Sequence, residues 1–383
     1  MTSRLAFSRV EYQRRMQQVE VALEQAGFDA LIAYSVKNQP GPVAYLGGYE
    51  PNLGLHDVAF FAVVPNGHPR YALLTNAFWD NPQQLSWPDD IIITSDYGHW
   101  LSELLPGSVR RIGVAGYRFF PTPVYTALQA AFPAASIVDA TTLLMEVAKV
   151  KSPEEVQVIR RCWEITDEGG RAFLASIHEG ANEREIKAEV ERAVMLGGSD
   201  GMWYNFQIYS GSQVAVGIGL SKDRTLARGE QVQVDCGAHY RGYHGDLSRV
   251  TTVGPASDEI QAIMETTANM YEAMLQAIRP GAPVADIARA AIHAARKREM
   301  EPYLYHSPNH AAGFVGHGIG CWYHEYPEIH PDATDVLETN MVIVLEPILG
   351  RPGVGGAKIE DAVLVTPQGA ERLSSLDIRT WPA

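Results

Sequence analysis

The sequence predicts two domains, an α/β unit over residues 1–150 and an α+β unit over residues 151–383, the second an antiparallel sheet flanked by helix pairs. Three observations lead there. A chain of 383 residues exceeds one ordinary core and suits two. Its first part alternates short apolar runs with helical patterns. Its second part groups long amphipathic helices in pairs, segregated from strand-like segments.

Taken in order, Glu11 to Gly27 carries Met16, Val19 and Leu23 on one helical face and stops at a glycine. Asp29 to Tyr34, Val58 to Val64 and Tyr71 to Thr75 are apolar runs suited to buried strands, and Pro65-Asn66-Gly67 is a turn signal. Arg111 to Ala115 reads as a further strand, followed by a helix around Pro121 to Ala131. The boundary falls near Val150. Ser152-Pro153-Glu154-Glu155 then combines an N-cap serine, a proline at the first helical position and a glutamate at the third, which is a capping box.

The helix it opens runs through Ile159 and Trp163 towards Phe173. Others are expected over Glu183 to Leu196, closed by Gly197-Gly198, and over Ser257 to Ile278 and Val284 to Met300. Strand-like segments are Trp203 to Ser210, Gln231 to Cys236, Tyr243 to Val253, Met341 to Glu346 and Lys358 to Val365. A weak helix-helix-strand recurrence hints at an internal duplication.

Composition narrows the function. Hydrophobic residues make up 46% and charged residues 20%, the balance of a folded globular protein. The formal charge of -14 argues against nucleic acid or an anionic membrane as the main partner. Cys162, Cys236 and Cys321 are sparse and unpaired in sequence, as in a reducing compartment. The residues from Met1 to Glu11 lack signal-peptide blocks, and no window reaches the roughly 18 apolar residues of a membrane span. A cytoplasmic protein is expected.

Acidic residues stand where strands should be apolar. Gln231 to Gly237 is a strand ending in Asp235, and the chain returns through Asp246. A two-residue turn at Tyr240-Arg241 would set Asp235 directly opposite Asp246, a destabilising pair unless one is protonated or a cation lies between them. Glu346 ends the apolar run from Met341, and Glu360 interrupts Lys358 to Val365 on the face of Ala362 and Leu364. Buried carboxylates at such positions are normally paired or metal-bound. His317 lies among glycines that permit close approach. Four carboxylates and an imidazole suit Mn²⁺, Co²⁺, Zn²⁺ or Fe²⁺, and two ions sharing carboxylates suit that much charge better than one.

These segments resemble the pita-bread metallopeptidases, a family that includes Xaa-Pro peptidases, prolidase and the metal-free creatinase. The resemblance rests on Val234-Asp235-Cys236-Gly237, Gly245-Asp246-Leu247-Ser248-Arg249, Gly316 to Gly320, Leu345-Glu346-Pro347 and Lys358-Ile359-Glu360-Asp361, with Lys151 to Glu155 opening the second domain. It implies a creatinase-like N-terminal domain and a pita-bread catalytic domain with a curved sheet.

It also implies two divalent ions, manganese foremost, held by Asp235, Asp246, His317, Glu346 and Glu360. Glu346 would serve additionally as general base, and His324 would contact the substrate carbonyl or leaving nitrogen. Hydrolysis of an amide C–N bond in an Xaa-Pro dipeptide-like substrate follows, by a homodimer in which each N-terminal domain caps its partner's site. The nearest alternative is creatinase-like cleavage of a non-peptide amide or guanidino metabolite. A metal-dependent lyase and a non-catalytic binding module rank lower.

Departures bear on substrate. Ile218 and Gly313 stand where relatives carry histidines, and Lys358 stands in place of an arginine. His310 or His244 is a candidate to compensate, and Trp203, Tyr204, Tyr209, Trp322 and Tyr323 are candidates to line an aromatic pocket.

Overall fold

A computed structural model describes residues 5–51, 58–65, 70–77 and 82–382, and the chain divides into two compact units, Met1–Ala148 and Lys149–Ala383.

The first unit opens with a helix over Arg9–Ala26. Ser8 caps it by accepting from the Glu11 amide at 3.1 Å, and it ends on Gly27 at φ 70°, a conformation cheap only for glycine. Six strands follow: β1 (Ala30–Val36), β2 (Val58–Val64), β3 (Arg70–Thr75), β4 (Asp90–Ile93), β5 (Arg111–Ala115) and β6 (Ser136–Asp139), in the order β4-β3-β2-β1-β5-β6. β2 is antiparallel to β1 and β3, and the other pairings are parallel. β4 and β6 are short outer strands exposed at both ends, too weakly apolar to stand out in sequence. Asn66 and Gly67 of the expected turn lie outside the described residues.

The second unit starts with the helix Pro153–Ala175, and its capping box forms in full: Ser152 accepts from the Glu155 amide while Glu155 accepts from the Ser152 amide. This helix packs on Glu183–Gly197, and Asp258–Ala277 packs on Val284–Arg296. The last helix ends four residues before the expected Met300. The strands are β7 (Gln207–Ser210), β8 (Gln231–Cys236), β9 (His239–Tyr240), β10 (Tyr243–His244), β11 (Leu247–Thr252), β12 (Gly316–Gly318), β13 (Glu325–Glu328), β14 (Val342–Leu345), β15 (Ile348–Arg351), β16 (Gly355–Lys358), β17 (Asp361–Thr366) and β18 (Gly369–Arg372).

All their pairings are antiparallel: β11-β8-β7, β13-β12-β14-β17-β18, and the ribbons β9–β10 and β15–β16. One apolar core, including Met264, Tyr271, Ile287, Ile343 and Val363, lies between the second helix pair and these strands.

Three expected strands are shorter or broken. Trp203 to Ser210 is strand only from Gln207, Tyr243 to Val253 breaks at Gly245-Asp246, and Lys358 to Val365 breaks at Ile359-Glu360. Both breaks carry a carboxylate, so Asp246 and Glu360 sit at ladder interruptions, free of the strict alternation of a strand.

Candidate metal centre

The hairpin that carries Asp235 and Asp246 turns one residue later than its sequence indicates. Tyr240 pairs with Tyr243, leaving Arg241 (φ 49°) and Gly242 (φ 82°) as the turn. Two consecutive positive φ values are what a two-residue hairpin of this hand needs, and glycine at the second position makes that cheap. The register moves with the turn. Asp235 pairs with Ser248, not Asp246. Asp246 thus lies two residues before the one opposite Asp235, at the interruption between β10 and β11. A Cβ at Gly237 would run into the Gly245 carbonyl, so glycine is needed where the hairpin narrows.

β8 reaches the last ligand through its side chains. Gln231 donates to the Gly356 carbonyl at 2.6 Å and accepts from the Gly356 amide at 3.1 Å. Gln233 does the same two residues on, donating to the Lys358 carbonyl at 3.0 Å and accepting from the Lys358 amide at 3.1 Å. Asp235 takes the next place, and its Oδ2 meets Lys358 Nζ at 2.9 Å. Ser248, opposite Asp235, exchanges backbone hydrogen bonds with Glu360, and its hydroxyl donates to Glu360 Oε2 at 2.9 Å.

All five expected ligands are buried, from 0% exposure at Asp246, His317 and Glu360 to 9% at Glu346. Asp246, His317 and Glu360 can each present a ligand atom so that the three atoms lie within 4.8 Å of one another. His317, paired on both sides within β12, directs Nδ1 at the Gly318 carbonyl at 2.9 Å. That contact fixes the tautomer with the proton on Nδ1 and leaves Nε2 as an acceptor, 3.7 Å from Asp246 Oδ2.

Both Asp246 oxygens, His317 Nε2 and Glu360 Oε1 are buried with no hydrogen-bond partner among the described residues. Buried acceptors on three residues brought together without a donor are an arrangement a divalent cation satisfies. Burial, reinforced by Glu360 and Asp235, pushes the Asp246 carboxyl well above its ordinary range. Glu360 moves the same way, again chiefly through burial. Burial holds His317 down at about 3, in the neutral form that ligates metal.

Asp235 and Glu346 are placed differently. The Lys358 ammonium lies 2.9 Å from Asp235, 2.6 Å from Glu346 Oε1 and 3.1 Å from Glu360 Oε2. Burial alone would lower the lysine pKa, but these three carboxylates together hold it well above its ordinary value. The second Asp235 oxygen accepts from the Tyr204 hydroxyl at 2.7 Å.

From the sequence Tyr204 is expected only as a pocket aromatic and Lys358 only as the replacement of an arginine, with no role for Ser248, although the alternation of Gln231, Gln233 and Asp235 on one strand face is a legible hint that this face meets polar groups.

The profile of Metallopeptidase family M24 matches residues 157–367, and that of the Creatinase/Prolidase N-terminal domain matches residues 15–148. The chain belongs to metallopeptidase family M24. A divalent ion is implied by that membership, and the unpartnered acceptors of Asp246, His317 and Glu360 fit one. An Xaa-Pro dipeptidase of Pyrococcus furiosus is 31% identical over 235 residues, covering 61% of this chain and 66% of that protein. The chain thus spans just under two thirds of that relative's length.

Among solved structures, the prolidase from Pyrococcus horikoshii superposes with a TM-score of 0.83 at 22% identity, covering 96% of this chain and 99% of that one. An Xaa-Pro dipeptidase from Bacillus anthracis gives 0.81 at 21%, covering 96% and 98%. These likenesses show the pita-bread fold with its creatinase-type N-terminal unit.

Around the centre, His324 stacks on His317 with ring centroids 3.8 Å apart, and His310 stacks on His324 at 5.1 Å. Burial and the His317 ring push the His324 pKa well below its ordinary value. Gly313 is left-handed at φ 74° and Ile218 is half exposed. Of the two histidines named as candidates to compensate, His310 joins the imidazole stack. His244 instead stacks on His239, with Nδ1 3.1 Å from the Gly320 carbonyl.

Trp203, Tyr204 and Tyr323 cluster with centroids 4.1 to 6.2 Å apart, and Tyr323 meets the His317 ring edge-on at 5.7 Å. Tyr209, expected in that pocket, belongs to the main core and donates to the Gly217 carbonyl at 2.8 Å.

Proposed function

We propose that this chain is a divalent-metal-dependent hydrolase that cleaves the amide bond of a small Xaa-Pro dipeptide-like substrate. The observation that carries the reading is the convergence of buried, unpartnered acceptors on Asp246, His317 and Glu360. The resemblance adds Asp235 and Glu346 to the ligand set. Such an ion supplies Lewis acidity toward a carbonyl oxygen and brings a bound water's pKa toward neutrality.

The chain's own groups do the rest. Ser248 fixes Glu360, and the Gly318 carbonyl orients His317. Glu346, the least buried of the five, takes up the proton of the attacking water at its carboxylate. His324, held flat against His317 and kept neutral, offers a ring nitrogen to the substrate carbonyl or leaving nitrogen. Trp203 Nε1 is a buried donor without a partner among the described residues, available to a substrate polar group.

Manganese is our choice of ion, because four carboxylates and one imidazole form a mostly hard, oxygen-rich set. The three free, buried cysteines support a reducing, cytoplasmic setting. Assembly as a homodimer rests on the family resemblance.

The test is a panel of Xaa-Pro dipeptides set against N-acyl and guanidino metabolites, assayed with the Mn²⁺-loaded chain and with Asp246→Asn. Dipeptide cleavage that disappears, together with bound metal, in the variant is the expected result. Undiminished cleavage by Asp246→Asn would refute the assigned centre. Cleavage confined to the guanidino arm would replace the substrate class.

A further inference from the structure

The capping box that opens the second unit accounts for Ser152, Pro153 and Glu155 but gives Lys151, the residue before it, no part. Lys151 Nζ pairs with Glu325 Oε2, and both side chains are 1% exposed. The backbone at Lys151 is fixed, its amide donating to the Asn340 carbonyl at 3.0 Å just ahead of β14. Three turns of chemistry are thus set at one helix entrance: the cap, the lysine, and the Tyr243 hydroxyl that donates to Glu155 at 2.6 Å.

Glu325 is the first residue of β13, and residues 319–324 connect it to β12. Its carboxylate turns back into that loop. Oε1 accepts from the Trp322 amide at 3.1 Å, and a Cβ at Gly320 would lie 2.5 Å from the same oxygen. Gly320 in turn accepts from the His244 amide at 3.0 Å and donates to the Trp322 carbonyl at 3.2 Å. The loop is wrapped on one carboxylate, and it ends in Tyr323 and His324, whose rings meet His317 at 5.7 and 3.8 Å.

We infer that Lys151 and Glu325 are positioning residues for hydrolysis: their buried ion pair sets the loop that holds His324 against His317 and so at the substrate. The inference rests on the hydrolase reading above, and within it on the part given to His324.

Energetics favour this over a plain stabilising role. Taking two charges out of water costs nearly what their attraction returns, and well-packed apolar residues of the same volume often stabilise as much or more. Burial pushes the Glu325 carboxyl upward against the pull of Lys151, which is that cost at work. What apolar side chains lack is direction. The ammonium donates to a carboxylate whose other oxygen already holds the Trp322 amide, so one loop conformation satisfies both groups. His324 follows its neighbour, and a ring displaced by about 1 Å can lose about a hundredfold in rate.

Steady-state kinetics of the Mn²⁺-loaded full chain on its best-cleaved Xaa-Pro dipeptide, together with metal content, test this through Lys151→Met made alone and on His324→Ala. Alone it should lower kcat by about ten- to a hundredfold, with KM and bound metal unchanged. On His324→Ala it should lower kcat no further, because the group it places is gone. Lys151→Met combined with Glu325→Gln, which strands no charge, is the second variant should the single one fail to fold, and the same pattern is expected. Hydrogen exchange of the 319–325 amides reads the hold on the loop without turnover and should be faster in both variants. Equal losses on both backgrounds would overturn the inference, since the pair would then act independently of His324. So would an unchanged kcat, lost metal, a change confined to KM, or unchanged exchange, each with cleavage by the wild type still in place. A wild type that cleaves no dipeptide would overturn the hydrolase reading, and the inference with it.

Discussion

Replacing Asp361 with alanine isolates the strut that holds the last carboxylate ligand in place. Asp361 and Arg249 are both completely buried, with Arg249 Nη2 2.7 Å from Asp361 Oδ1. The same guanidinium donates to the carbonyls of Ser248 at 2.9 Å, Glu360 at 3.0 Å and Asp377 at 2.7 Å, tying β11 to the break before β17. Removing the carboxylate leaves a buried guanidinium without its counter-charge, a change that costs about 3–5 kcal/mol. Arg372 also loses its pairing with Asp361, but that side chain is 28% exposed, so screening makes the loss minor.

For a unit of this size each kcal/mol moves the melting temperature by about 2–4 °C, so a fall of about 6–20 °C is expected. Calorimetry and urea unfolding should be run on the EDTA-treated chain, which removes any contribution from lost metal. Arg372→Met is the internal standard, with an expected loss of about 1 kcal/mol or less. An Asp361→Ala loss no larger than that of Arg372→Met would show that the buried pair is not the strut described.

Two further outcomes are expected. His324→Ala should lose about a hundredfold or more in turnover with little change in melting temperature, as for a removed proton-handling group; an unchanged rate would reduce the stacked imidazole to a packing role. In the first unit, burial would raise the Glu11 carboxyl, but hydrogen bonds from Arg14 and Arg15 win and hold it below its ordinary 4.5. A depressed carboxyl contributes stability that is present above its unfolded value and lost as pH falls through the folded one. Acid unfolding of this unit should therefore steepen below pH 4.5, and Glu11→Gln should flatten that limb while lowering stability at pH 7. A variant whose acid limb matches the wild type would remove Glu11 from the account.

The ligand residues were legible because each breaks a local rule. An aspartate ending an apolar strand, a glutamate inside another and a histidine between glycines are anomalies within a few residues, and the structure buries all five. What failed depends on turn geometry and on contacts distant in sequence. The turn at Arg241-Gly242 is chosen by backbone conformation, which a count of strand residues does not weigh, and the Asp235–Asp246 pairing slipped accordingly.

The alternation expected over Lys358 to Val365 put Glu360 inside, and it is inside. Asp361 on the opposite face is equally buried, because Arg249 and Arg372 meet it there. Binary patterning presumes one wet face, and this sheet has none at that point. Likewise Tyr209 reads as a pocket aromatic by its neighbours Trp203 and Tyr204, yet it lies within β7 and joins the core.

The glutamines of β8 explain how so much charge is positioned without a continuous sheet. β8 and β16 are not paired as neighbouring strands, yet Gln231 and Gln233 each present an amide that donates to one backbone carbonyl of β16 and accepts from one backbone amide. Each side-chain amide thus serves the hydrogen-bonding needs a partner strand would otherwise meet, at the same period of two. Gly355 carries no Cβ because the Gln231 side chain passes where one would lie.

The ladder then runs out at Asp235. There the residue two past Gln233 meets not a backbone amide but the Lys358 ammonium, and two residues past Lys358 stands Glu360. The spacing that sets amides against the backbone is therefore the spacing that sets a carboxylate against a cation. A leucine at Gln233 would fill the space while leaving the Lys358 amide and carbonyl unpaired, so the register of β16, and with it the place of both Lys358 and Glu360, depends on a side chain that touches neither metal nor substrate.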